Sequence, residues 1–92
     1  MSHEAVIVSA VRTAVGKSKR GALADVRPEA LAGTVVKEVM RRAEGVPHED
    51  VEDVIMGCAI PEAEQGINIG RVTAIAAGLP HTVPGVTVNR FC

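Results

Sequence analysis

The sequence contains no tryptophan, no tyrosine and a single phenylalanine, Phe91. Without the bulkiest ring side chains, any core must be built from Val, Ile, Leu, Met and Ala. Cysteine is also scarce, with only Cys58 and Cys92. A small secreted domain stapled by disulfides would carry more, so both are expected to be reduced thiols in a cytoplasmic compartment. Neither charge sign dominates: ten Lys and Arg face eleven Asp and Glu, a net charge of −1. This leaves no global field to gather nucleic acid or anionic lipid, and neither partner is expected. No apolar run approaches the ~20 residues of a membrane span. The opening MSHEAVIVSAVR places Glu4 ahead of a short apolar run and offers no small-residue cleavage site, unlike a secretory signal or transit peptide.

What is present is an aliphatic chain of 92 residues, 47% of them hydrophobic. Typical domains run to ~100 to 150 residues, and a chain this short buries only about two thirds of its unfolded surface. A core of Val, Ile and Ala is marginal at that size. The expectation is therefore an incomplete domain over residues 1–92, with the remainder beyond Cys92 and supplied by the same polypeptide or a second chain.

The pattern alternates strand and helix. Ala5–Val11 is apolar on both faces and reads as a strand covered on both sides. From Pro28 to Ala43, Leu31, Val35, Val39, Met40 and Ala43 recur at helical spacing, with Pro28 and Glu29 at the start and Arg41, Arg42 and Gly45 at the end. Val54–Ile60 reads as a second strand, in which Gly57 suggests close approach by a neighbouring element. Asn68 is a candidate N-cap for a second helix with a stripe of Ile69, Val72, Ile75, Ala76 and Leu79, stopped by Gly78 and Pro80. A third strand is expected from about Gly85 to Asn89. Strand and helix alternating in units of ~30 residues predict an α/β fold, a parallel βαβαβ segment of a larger sheet.

Several side-chain clusters invite chemistry. The loop RTAVGKSKR gathers Arg12, Lys17, Lys19 and Arg20, but it lacks the glycine spacings that cradle phosphate and reads as a solvated charged loop. His3, His48 and His81 are scattered without metal-ligand spacing, so no metal is expected. Glu62, Glu64, Gln65, Gly66 and Asn68 follow the second strand, where α/β proteins place ligand loops, although a solvated loop or a subunit contact suits them better than acid/base catalysis. Cys58, mid-strand, reads as a buried structural thiol. Cys92 follows a strand where a helix would next begin, so its sulfur would face the positive end of a helix dipole, where the thiolate is favoured. On spacing alone a buried structural role fits Cys92 equally well.

Three stretches, AVIVSAVRTAVGK, GCAIPEAEQGINIGR and VPGVTVNRFC, resemble in order and spacing successive signature regions of the thiolases, over essentially the whole chain. Within that family VNRFC is most similar to the degradative 3-ketoacyl-CoA branch, because the biosynthetic acetoacetyl-CoA enzymes more often carry Lys and an aliphatic residue before the cysteine. The resemblance implies a five-layered αβαβα fold with a mixed sheet, of which this chain is the opening. It implies that Cys92 is the catalytic nucleophile. Its thiolate would take an acyl group from an acyl-CoA and pass the thioester to CoA or to an acetyl-CoA carbanion. Coenzyme A is then a substrate, with no bound cofactor. The histidine of a Gly-His-Pro segment and the second cysteine of a Cys-x-Gly segment, which complete the family's site, are not in this sequence. The chain alone is therefore expected to be inactive. The resemblance also implies a homodimer or homotetramer in which the strand at Gly85–Asn89 and the stretch Gln65–Arg71 lie at a subunit interface. Gln65, Asn68, Arg71, Thr87 and Val88 are its candidate residues, and capping of the second helix is the plain alternative.

Two other readings compete. A ketoacyl-synthase-type condensing enzyme would share the fold and the nucleophilic cysteine but use two histidines, or His and Asn. A non-catalytic βαβαβ module that docks on a partner would need no completion.

Overall fold

The computed structural model describes residues 3–92. Helix α1 spans Pro28–Arg42, strand β1 Val54–Gly57, helix α2 Ile69–Ala76 and strand β2 Gly85–Val88, with single 3-10 turns at His48–Asp50 and Ala63–Gln65. Each element falls within two or three residues of its expected span.

Helix α1 starts because Pro28 fixes φ where its missing N–H costs nothing, and Glu29 and the Arg41, Arg42 pair complement the two ends of the helix dipole. Glu38 accepts from Arg41 Nε at 2.7 Å and from Arg42 Nε at 2.6 Å. These bonds hold the Glu38 carboxyl well below its ordinary range, at about 2. At the start of the helix Arg27 donates to the Glu29 carboxylate and reaches Glu64 at 3.2 Å, tying α1 to the turn after β1. Helix α2 begins at Asn68, whose side chain accepts from Arg71 N, and it gives way at Gly78, where φ is +79°.

Strands β1 and β2 pair in parallel, with Val54 opposite Gly85, Ile55 opposite Val86, Met56 opposite Thr87 and Gly57 opposite Val88. Helix α2 forms the crossover between them. Alternation sends Val54 to the helix-covered face and leaves Ile55, Val86 and Val88 exposed on the other. The core comprises Val54, Ala74, Ala77, Leu79 and Val83, with Val36, Met40 and Val51 packed against it. It is aliphatic throughout, as the composition requires.

Three expectations change. Residues 5–11 do not form a strand: Val6, Ile7 and Val8 are 71%, 89% and 64% exposed, and no ladder partner lies beside them among the described residues. A run apolar on both faces becomes a strand only when backbone partners and two covering layers are present, and this chain supplies neither to it. The βαβαβ segment is thus an αβαβ unit preceded by an unpaired apolar stretch. Gly57 has no close neighbour, since a Cβ there would meet nothing within 4 Å. Finally, α2 does not bury Val72, Ile75 and Ala76. It buries Ile69, Gly70, Thr73 and Ala74, with the C-cap Ala77 buried behind them, and apart from Ile69 these side chains are small enough to let the helix lie close on β2. At Gly70 an added Cβ would collide with the carbonyl of Val86, so the approach depends on glycine there.

Candidate active site

The candidate nucleophile lies just past the end of β2. Beyond Val88 the ladder gains one further rung, as Cys58 N donates to Val88 O at 2.9 Å. The side chain of Asn89 then takes over: its Nδ2 donates to Ala59 O at 3.0 Å, and its Oδ1 accepts from Phe91 N at 3.3 Å. Phe91 adopts a left-handed φ of +49°, turning the chain sharply immediately before Cys92. The Cys92 thiol is free and exposed.

Behind β2 a compact polar network fixes the strand to α2. Thr87 Oγ1 donates to Asn68 Oδ1 at 2.7 Å and accepts from Gly70 N at 3.1 Å. Asn68 Nδ2 donates to Gly85 O at 2.9 Å, and its Oδ1 also accepts from Arg71 N at 3.2 Å. The Arg71 guanidinium donates to Val83 O and, at 3.1 Å, to His81 O. One asparagine thereby caps α2, holds the first residue of β2 and orients the Thr87 hydroxyl.

The two cysteines occupy opposite environments. Cys58 is 8% exposed, and its thiol donates to Gln65 Oε1 at 3.7 Å. It is the expected buried thiol, although it lies one residue past the end of β1 and not in mid-strand. Asn68, Arg71 and Thr87 are brought together at the α2 and β2 contact, whereas Gln65 pairs with Cys58 beyond β1 and Val88 stands exposed on the open sheet face. The basic loop forms a groove with Leu23, Ala24 and Leu31 that contains Lys17 and Lys19 and none of these residues. Among the described residues no cluster of three or more His, Cys, Asp or Glu is arranged to hold a metal ion. Sequence reasoning missed Asn89, whose only signal was an amide side chain at a strand end, a type that closes local turns.

Comparison with known proteins places this geometry in context. A family model described as the N-terminal domain of thiolase matches residues 5–92. The chain belongs to the thiolase family. It is 56% identical over 89 residues to a 3-ketoacyl-CoA thiolase of Bacillus subtilis (strain 168), covering 97% of this chain and 22% of that protein. It is 47% identical over 90 residues to a 3-ketoacyl-CoA thiolase of Colwellia psychrerythraea, covering 98% of this chain and 23% of the relative. A crystal structure of the Bacillus anthracis acetyl-CoA acetyltransferase superposes with a TM-score of 0.83 at 41% identity, over 92% of this chain and 21% of that one. The thiolase segment therefore spans about a fifth of the length of these relatives, at 21% to 23%. The expected α/β thiolase fold holds at the level of this segment, and the likenesses favour a thiolase over both competing readings.

Proposed function

We propose that this thiolase segment supplies the acyl-accepting nucleophile, Cys92, of an enzyme that transfers acyl groups between CoA thioesters. The observation that carries the reading is the place of Cys92 just past the sharply turned, Asn89-held end of β2, in a chain that the thiolase N-terminal family model matches over residues 5–92. In thiolysis the Cys92 thiolate attacks the 3-keto carbon of a 3-ketoacyl-CoA, the C2–C3 bond breaks, and acetyl-CoA leaves as a carbanion that takes up a proton. In condensation the thiolate attacks the acetyl-CoA carbonyl, the C–S bond breaks, and CoA leaves with a proton. The acyl-cysteine thioester is then cleaved by CoA in thiolysis or by an acetyl-CoA carbanion in condensation, which breaks the acyl–sulfur bond and regenerates the Cys92 thiolate. Coenzyme A enters as a substrate and leaves as a product.

The activating histidine and the second cysteine that the family resemblance implies are not among these residues, so residues 1–92 are proposed as the opening of a domain completed by further sequence. On this reading the isolated chain does not catalyse thiolysis. The completed protein is proposed to be a cytoplasmic homo-oligomer, with Gln65, Asn68, Arg71, Thr87 and Val88 at or near the subunit interface. The resemblance to thiolases supports this, together with the unpaired edge of β2, which further sequence of the same domain or a second copy would cover. The deciding experiment incubates the completed protein and its Cys92→Ala variant with acetyl-CoA, followed by intact mass. An acetyl adduct on the parent protein and none on the variant is expected, and an adduct of equal yield on both would overturn the assignment.

A further inference from the structure

The corner between β2 and Cys92 is held by one side chain. Main-chain pairing ends with Cys58 N on Val88 O, and the next rung is made by the Asn89 amide, donating to Ala59 O at 3.0 Å. The other end of the same amide accepts from Phe91 N at 3.3 Å, closing a turn two residues long. Inside that turn Phe91 has a φ of +49°, a conformation that a bulky L residue adopts only when its surroundings impose it. The Phe91 ring cannot impose it, being 72% exposed. The Asn89 amide spans from the Ala59 carbonyl to the backbone of Phe91, the residue before Cys92.

We propose that Asn89 is a positioning residue for the Cys92 thiol, fixing the nucleophile relative to the end of the sheet. This rests on the reading of Cys92 as the acyl-accepting group. The role needs a donor and an acceptor on one short planar side chain. Alanine supplies neither. Aspartate keeps the acceptor for Phe91 N but replaces the donor with an oxygen that repels the Ala59 carbonyl. Reacting atoms must sit within a few tenths of an ångström of their productive geometry, and a displacement of about 1 Å costs on the order of 10²-fold in rate.

The test compares the completed protein with its Asn89→Ala, Asn89→Asp and Cys92→Ala variants. Three quantities are read: the single-turnover rate of acylation by acetyl-CoA, the split between kcat and KM, and the melting temperature. Both Asn89 variants are expected to acylate about 10- to 100-fold more slowly, with KM and melting temperature close to the parent's. Acylation at the parent rate in either variant would overturn the proposal. So would a loss of activity matched in both by loss of folded protein, since that is what a purely structural role gives. Cys92→Ala separates the two readings. Continued acylation in that variant refutes the nucleophile itself, whereas its silence beside a fully active Asn89→Ala refutes only the positioning role.

Discussion

The Thr87 hydroxyl donates to Asn68 Oδ1 at 2.7 Å while accepting from Gly70 N at 3.1 Å, so a single β2 side chain links the cap and the first turn of α2. The bond joins residues 19 apart in sequence, across the whole crossover. It is part-buried, where an orphaned partner is costly.

Thr87→Val should therefore destabilise the completed protein by about 1 to 3 kcal/mol, because the isosteric methyl leaves Gly70 N and one Asn68 lone pair without a partner. Thermal denaturation checks this. A variant melting with the parent would show that the network contributes nothing.

Thr73 offers the opposite case. It is 0% exposed, and its hydroxyl has no hydrogen-bond partner among the described residues. Because the residue is already sealed, its hydroxyl pays a desolvation cost that Thr73→Val would remove. A gain of about 1 kcal/mol is expected from the melting temperature of this variant. A loss would mean that the hydroxyl has a partner after all.

For Cys92 and Cys58 the prediction concerns rates. With Cys58 8% exposed and donating to Gln65, and Cys92 proposed as the activated nucleophile, iodoacetamide at neutral pH should alkylate Cys92 first in the native completed protein. Peptide mapping at short times would show a difference of at least about tenfold, which disappears on denaturation. Equal native rates would remove the case for Cys92 as a primed nucleophile.

Glu38 gives a pH dependence. Its carboxyl is lowered from 4.5 to about 2 by the side-chain hydrogen bonds from Arg41 and Arg42, so the folded state holds the charged form more tightly than the unfolded state does. The resulting stabilisation is fully present above pH 4.5, and it is lost as pH falls toward 2. The melting temperature of Glu38→Gln should lie slightly below the parent's at neutral pH and converge with it in acid. The effect is small because the pairs are exposed. A pH-independent gap would point to another cause.

Arg71 tests the proposed interface. Its guanidinium already serves Val83 O and His81 O within the chain, so Arg71→Glu weakens both folding and any contact across subunits. Arg71→Gln reduces the charge effect while keeping donors. Light scattering should show weaker assembly for Arg71→Glu than for Arg71→Gln if the residue lies at a subunit rim, and the same molar mass for both if its work is internal.

Local rules were enough for α1, for the start and stop of α2, and for the strand cores at Val54 and Val86, because proline, asparagine, glycine and β-branched residues act on the backbone within one turn of themselves. The all-aliphatic core was likewise fixed by composition, since the sequence offers no other filler than its lone Phe91. The thiolase motifs around Cys92 were legible because their order and spacing persist in the linear chain.

Tertiary structure decided what depends on distant partners. Periodicity assigned Val72 and Ile75 to the buried stripe of α2, yet contact with β2 selected Gly70, Thr73 and Ala74 instead, since only small side chains allow the helix that close. The apolar run at residues 5–11 carries the composition of a covered strand, but strand formation requires a neighbouring backbone that no sequence window contains. The pairing of Asn89 with Ala59, 30 residues away, was invisible for the same reason: a hydrogen bond across the sheet depends on register, and register is set only when β1 and β2 meet.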